Sequence, residues 1–512
     1  MPKPVKYNIL RASMAVSAAT ILLRILGLIR EIVLAAAYGA GTVSDAYIIA
    51  TTVPSVILLV IGNAVTATYI PQCASHNGDK NQFTSSLLTM LFIVGFIFAF
   101  IFTLFPQALV YIFASKLAPD AFDLASKLLQ VMVWSAIPML LIGIFRAYLQ
   151  IKKIFFVAIA SDALINFCAV ISIILGKFTE SLILLGIGVM IGNIASMAVL
   201  VVFCKKKGLR YYPRIDFRDE HIRNMLKLML PITLAAAVLE INQIIDKNLA
   251  ASLVSGTVAT LSYSSKLNNV VTELVGSAVT IALFPRMSEL AAEDNISALK
   301  KHLIRWVITL TPMLLPLTVG MVLIAKPIVQ ILLERGAFEP EDTQRTAECL
   351  QMYALSILAT NFSPLFIRGF HAMKQAKIPA ILSAISVAGG IALKLSLIGT
   401  FQHRGLALGT SVTSMLYTIL LVIMFRKTVG ALGLREQVPE LAKITFASAT
   451  MGVFVWFAIR NTPIMNGAYM QCLFWTVIIV GIAVILYGGL LVLLKVKVIT
   501  GVVVELKKKM SR

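Results

Sequence analysis

The sequence predicts an all-α polytopic membrane protein of fourteen transmembrane helices, built as two parallel six-helix repeats plus two C-terminal helices. Three observations predict it. The 512 residues are 59% hydrophobic and 13% charged, whereas a soluble domain is about half apolar and about a quarter charged. The apolar residues gather in runs of about 20 with short polar gaps, the length that crosses a hydrocarbon core of about 30 Å. Short words also recur between the two halves of the chain. Backbone groups in lipid must be satisfied within their own segment, so the runs are helices. The alternating ten-residue pattern of a membrane barrel is absent from the sequence.

The helices follow in order. The basic N-terminus MPKPVKYNILRAS leads into a span carrying Arg24 and Arg30 with no cleavage site, which reads as a retained first helix and not a removed signal. Spans 1 to 6 cover about 14–38, 45–69, 85–114, 124–150, 154–175 and 181–203. Spans 7 to 12 cover about 228–253, 257–284, 303–325, 343–372, 378–399 and 405–425, and spans 13 and 14 about 441–459 and 470–494. The expected divisions are a six-helix lobe at 1–203, a basic loop at 204–227, a second lobe at 228–425, and helices 13–14 with a basic tail at 426–512.

Charge placement sets the orientation. The net charge is +21. Of the 45 Lys and Arg residues, about 31 fall on the side of the two termini and about nine on the opposite side. That asymmetry places both termini in the cytoplasm. It accounts for the basicity without nucleic acid. The richest loop, CKKKGLRYYPRIDFRDEHIRNMLK at 204–227, reads as a topology determinant with affinity for anionic lipid.

That loop separates the related halves. GNAVTATYIP at 62–71 matches GSAVTIALFP at 276–285 at an offset of 214, and GTV at 41–43 recurs at 256–258 at an offset of 215. A repeat of six spans enters the membrane from the same side each time, the parallel arrangement of alternating-access transporters.

Charges inside the spans carry the functional reading, because each costs about 2.5–3.5 kcal/mol at mid-bilayer on insertion scales. Helix 1 holds Arg24, Arg30 and Glu31, and helix 2 starts at Asp45. Arg24 and Glu31 share a face, while Arg30 lies about 120° away unless the helix bends at Gly27. Guanidinium offers a planar fork of donors suited to phosphate oxygens. An ion pair of Arg30 with Glu31 or Asp45 is the plainer alternative. In helix 8, Ser262, Lys266, Asn269 and Glu273 form one polar stripe, which must face protein or water. Helix 5 holds Asp162, helix 7 Glu240 and Asp246, helix 10 Arg368 and helix 11 Lys394. Lys394 is the only charge in its span, so it needs a partner, and Asp246 or Glu240 is expected to supply one.

Catalysis and cofactors find no support. GxSxG, HExxH and Walker patterns are absent. The five cysteines are scattered without metal spacing. The expectation is a non-enzyme with no cofactor and no metal.

The segment LLRILGLIREIVLAAAYGAGTVSDAYIIATTVP at 22–54 resembles the helix 1–2 signature of the MurJ/MviN flippases, a branch of the multidrug/oligosaccharidyl-lipid/polysaccharide exporters. LLERGAFEPEDTQRT at 332–346 and RGLALGTSV at 404–412 resemble the same family. The resemblance covers nearly the whole chain. It implies a lipid II flippase that moves the undecaprenyl-pyrophosphate-linked glycopeptide across the bacterial cytoplasmic membrane by alternating access, for peptidoglycan synthesis. Its partners would be that substrate, membrane lipids and cell-wall synthesis proteins. Residue by residue, the family's pyrophosphate cations fall on Arg24, Arg30 and Lys266, with Glu31, Asp45, Asn269 and Glu273 as cavity acids and polar partners. Its helix 13–14 groove for the lipid tail falls on 441–494.

The chain departs from the family at several positions. Family basic residues of helix 2 fall on Leu58 and Leu59, and a family glutamate on Asn63. A sodium site of some members falls on Asp246, Gly390, Lys394, Leu406 and Thr410. The Lys394 ammonium is expected to occupy that site and pair with Asp246. These departures keep two other readings open: a flippase for another polyprenyl-pyrophosphate oligosaccharide, and a non-transporting scaffold for cell-wall enzymes.

Overall fold

A computed structural model describes residues 4–76, 79–216, 219–273, 296–464 and 469–497. The second-copy word at 276–285, the end of the eighth span and most of the basic tail lie outside the described residues. Among the described residues the regular structure is helical, with no strand. The helices are α1 (Pro4–Tyr38), α2 (Thr42–Ser75), α3 (Lys80–Leu104), α4 (Pro106–Ala114), α5 (Pro119–Met132), α6 (Ala136–Ile151), α7 (Phe155–Ala160), α8 (Ala163–Phe178) and α9 (Ile183–Lys206). Then follow α10 (Glu220–Ala251), α11 (257–273), α12 (Ile296–Leu323), α13 (Ala325–Leu333), α14 (Pro340–Ala354) and α15 (Ile357–Ala372). The last are α16 (Lys377–Val429), α17 (Val438–Asn461) and α18 (Tyr469–Leu493).

Ten stretches of described helix are long and apolar enough to cross a membrane. One of them, α16, is two spans in a single run, because Gln402 breaks the helical backbone at φ 47°, ψ −127°. With α1, α10 and α11 the arrangement accommodates the fourteen expected spans. Several sequence spans divide into two helices. Pro106 starts α4 where Phe105 leaves helical geometry, and prolines also open α5 and α14. Proline lacks the N–H that a first helical position cannot use, so it starts helices at little cost.

Four helices close on the same device. At Lys153 and Lys374 the backbone is left-handed (φ 61° and 59°). The next N–H reaches five residues back, Ile154 to Leu149 and Gln375 to Phe370, both at 2.8 Å. Val496 to Leu491 and Leu209 to Cys204 repeat the closure at 3.1 and 3.0 Å. This satisfies otherwise orphaned carbonyls and sets lysines against the negative helix end. The turn after the fourth span and the turn after the tenth are thus alike.

The described chain forms two compact units. The first is Met1–Ser262 with Arg335–Phe338, and the second is Tyr263–Glu334 with Glu339–Arg512. In the first, α2 packs against α5, α6 and α10, while α8 packs against α9 and α1. Its core joins α2, α3, α6 and α9, with Tyr69, Phe83 and Leu140 fully buried. In the second, α12 packs on α17, α15 on α16 and α17 on α18. Tyr487 there donates to the Pro312 carbonyl at 2.8 Å, the acceptor that proline leaves over inside α12. The compact units divide the chain later than the sequence repeat does. The reason is that α10, the first helix of the second copy, packs on α2 and α4.

Candidate functional site

The charges of α1 lie on a helix that runs without a break through Gly27. Arg24 is exposed and Glu31 is buried. Arg30 donates from Nη2 to Glu31 Oε1 at 2.8 Å, so the ion pair with the neighbouring acid forms and the one with Asp45 does not. Tyr47, buried on α2, lies within electrostatic reach of both. Arg30 Nε, Glu31 Oε2 and the Tyr47 hydroxyl are all buried without a hydrogen-bond partner. A buried polar atom left unpaired costs about 1–3 kcal/mol, so three together mark a place that bound water or a ligand completes.

Asp45, expected beside these cations, is committed elsewhere. Its Oδ2 accepts the Gly256 N–H at 2.6 Å and its Oδ1 the Ala259 N–H at 2.7 Å. It is the N-cap of α11, supplied from another helix. The first N–H groups of a helix have no partner within it and carry positive partial charge, so a carboxylate satisfies both needs. The approach is close. Gly256 has φ +87°, and a Cβ there would run into the Ala40 carbonyl.

The rest of that end of the first unit fits as tightly. Gly336, at φ +62°, would place a Cβ on the Ala36 carbonyl, and Ala337 donates to that carbonyl at 2.9 Å. Ser115 donates to Asn248 Oδ1 at 2.8 Å while Asn248 Nδ2 donates to the Ile112 carbonyl at 2.9 Å. Thr42 and Ser255 hydroxyls lie 3.3 Å apart.

Of the helix 8 stripe, Asn269 is exposed and Ser262, Lys266 and Glu273 are half-buried, while Ser264, Leu267 and Asn268 between them are buried. The stripe is therefore the open face of α11. Lys394 is wholly buried in the second unit, where Thr410 is half-buried and donates to the Leu406 carbonyl at 3.0 Å. Asp246 belongs to the first unit, and its Oδ2 lies 3.5 Å from Asn242 Nδ2. Leu58 and Leu59 fall within α2. Among the described residues no three His, Cys, Asp or Glu side chains are placed to hold a metal ion.

One ionic group escapes the sequence reading. Arg146 of α6 pairs through Nη2 with Asp162, at the break between α7 and α8. Asp162 is visible in the sequence as a charge inside a span. Arg146, five residues from the end of its span, merges with the loop charges Lys152 and Lys153 in any count of basic residues by side.

The residues 34–486 match the family model described as "Lipid II flippase MurJ". The chain belongs to the lipid II flippase MurJ family. It is 25% identical over 425 residues to a "Probable lipid II flippase MurJ" of Rickettsia prowazekii, covering 80% of this chain and 82% of the relative. The Thermotoga maritima relative of the same description is 26% identical over 449 residues, covering 87% and 90%. A solved "Lipid II flippase MurJ, inward closed conformation" superposes at TM-score 0.80 with 23% identity, covering 93% of this chain and 98% of that one. An inward-facing multidrug-resistance MATE transporter superposes at TM-score 0.67 with 12% identity, covering 83% and 98%. The fold is thus that of MurJ. The chain is a multi-pass protein of the bacterial inner membrane, from a family of transporters.

Proposed function

We propose that this chain flips lipid II, the undecaprenyl-pyrophosphate-linked glycopeptide, from the cytoplasmic to the periplasmic leaflet by alternating access. The observation that carries this reading is the match to the MurJ family model over residues 34–486. The charges of α1 support it, since they meet what the substrate's chemistry needs. The diphosphate is the part that resists the membrane, and Arg24, Arg30 and Lys266 supply cations to replace its hydration. Glu31, Asn269 and Glu273 orient those cations.

Both termini are cytoplasmic in this reading, which follows the excess of Lys and Arg on their side. The lobes 1–203 and 228–425 rock, and helices 13–14 flank the lipid tail. The Asp45 cap on α11 then closes the periplasmic end and must release when the carrier turns outward. Asp246 and Lys394 pair where some relatives hold a cation, so sodium is not required. The protein carries out no covalent chemistry, and its protein partners belong to cell-wall synthesis. A second reading, transport of another polyprenyl-pyrophosphate oligosaccharide, draws on Leu58 and Lys266, where the family pattern has arginine.

Complementation of a bacterium depleted of its own lipid II flippase tests the proposal. Wild type should restore growth and translocation, and Arg24→Glu should restore neither. Failure of the wild type to rescue a strain in which it accumulates in the membrane, or full rescue by Arg24→Glu, would overturn it.

A further inference from the structure

We propose that Arg146 is a further phosphate-binding cation of the transport site, kept neutral by Asp162 until a diphosphate takes the carboxylate's place. This rests on the reading of the substrate as a polyprenyl diphosphate.

The position of Arg146 is the first argument. Residues 140–149 of α6 are buried except Arg146, whose side chain keeps 29% of its surface accessible. The helix lies in an apolar run long enough to cross the membrane. A guanidinium in such a span turns to the protein interior or to a water-filled space, because lipid does not accept it.

The second argument is the break at its partner. The fifth span, Phe155–Phe178, is interrupted at Ser161–Asp162 between α7 and α8. There the backbone tightens, with Leu164 N–H on the Ser161 carbonyl and Ile165 N–H on the Asp162 carbonyl. Two orphaned atoms accompany the break. Ser161 is 4% exposed and its Oγ has no partner, and Arg146 Nε is buried with none, although Nη2 is on Asp162. An unsatisfied N–H of the guanidinium itself, and an unsatisfied hydroxyl next in sequence to its carboxylate partner, are donors that a phosphate oxygen would complete.

Depth is the third. Asn166 Oδ1 lies 3.9 Å from the Cβ position of Gly27, so the start of α8 runs beside the middle of α1. Spans 1 and 5 point the same way through the membrane. Asp162 is one turn before Asn166, and Arg24 is about one turn before Gly27. The Arg146–Asp162 pair therefore stands within about one helical turn, ~5 Å, of the level of Arg24.

The pairing with Asp162 has a purpose in a carrier. A further bare cation in the empty site would raise its desolvation cost and oppose resetting. A diphosphate, with several oxygens for bidentate contact, competes for the guanidinium. Asp162, once released, remains at the N-terminal end of α8, where its charge is tolerated. Arg146 then binds substrate, and Asp162 is the positioning residue that returns it to neutrality on release.

The test uses the purified full chain in nanodiscs, with undecaprenyl diphosphate as probe and undecaprenyl monophosphate as the comparison. Arg146→Gln should weaken diphosphate binding by about tenfold, the loss of one charge-assisted contact. It should affect the monophosphate less, and R146K should recover part of the loss. Asp162→Asn should tighten diphosphate binding and slow turnover, and the double variant should bind like Arg146→Gln. Thermal melting of each variant, followed by helical circular dichroism, checks folding. Equal loss of affinity in Asp162→Asn and Arg146→Gln with lowered melting would make the pair a structural staple and overturn the proposal, as would wild-type affinity in Arg146→Gln. An Arg24→Glu control separates the two readings. If it loses binding while Arg146→Gln does not, only this inference falls. If the wild type fails to bind the diphosphate, the substrate reading falls.

Discussion

Two regions of the first compact unit use polar groups in opposite ways. At the end where α1 finishes and α2 begins, polar contacts are completed in kind: Asp45 accepts two N–H groups, and Ala337 donates to the Ala36 carbonyl. In the interior, around Arg30–Glu31 and Arg146–Asp162, five buried polar atoms have no partner. Both regions carry charge in a membrane span. The second retains most of the unused hydrogen-bonding capacity, while at the first the Tyr38 hydroxyl is also buried without a partner. The difference separates polar groups that hold the fold together from polar groups that await something else. Substitutions in the closed end should therefore act on stability, and those in the interior on substrate handling.

The largest expected effect lies at Gly256. Valine there must take φ +87° and push its Cβ into the Ala40 carbonyl. Backbone strain of about 1–3 kcal/mol adds to overpacking of about 1–3 kcal/mol. Gly256→Val should fail to accumulate as folded protein, read by detergent-solubilised yield and size-exclusion profile. A variant that elutes and melts like wild type would show that the close approach of 256 to Ala40 is not needed, and the contrast between the regions would lose its firmest contact.

Asp45→Ala comes next. It leaves the Gly256 and Ala259 amides without their acceptor, at about 1–3 kcal/mol for each buried group. Asp45→Asn keeps one acceptor and should lie between. Thermal melting measures the stability. A cysteine placed near Ser255 and probed with a membrane-impermeant thiol reagent should label faster in Asp45→Ala, because the end opens more often. Unchanged melting and labelling would move Asp45 out of the closed end and back among the cavity acids.

That placement shows what the sequence could reveal. The all-helical fold, the long apolar runs and the repeat were readable because each depends on local composition or on matching words such as GTV at 41–43 and 256–258. The Arg30–Glu31 pair was also readable, since the partners are adjacent. The use of Asp45 was not. Its partners are backbone amides 211 and 214 residues away, and an amide leaves no mark in a sequence. Arg146 was obscured for another reason. Arginine near a span's end looks like a topology charge, and only the break at Ser161–Asp162 brings a carboxylate to it.

Glu31→Gln sharpens the interior side. The carboxylate is buried and pairs with Arg30 through one oxygen. Removing its charge frees the guanidinium but leaves it without a counter-charge, and because 21% of the Arg30 side chain stays accessible the loss of stability should be about 1–3 kcal/mol. Diphosphate binding should change more than melting does, toward tighter binding. A loss of melting as large as that of Asp45→Ala, with binding unchanged, would place Arg30–Glu31 with the structural contacts.

The smallest effect belongs to Ser115→Ala. Its hydroxyl donates to Asn248 Oδ1 at 2.8 Å, and Asn248 keeps its second contact to the Ile112 carbonyl. One neutral hydrogen bond of three atoms in a chain is lost, about 0.5–1.5 kcal/mol. The change in melting should be small, and substrate affinity should remain at the wild-type value. This modest variant still discriminates. If the closed end contributes only stability, its weakest member leaves binding untouched. If Ser115→Ala alters diphosphate affinity, the two regions are coupled, and releasing the closed end is part of taking up substrate.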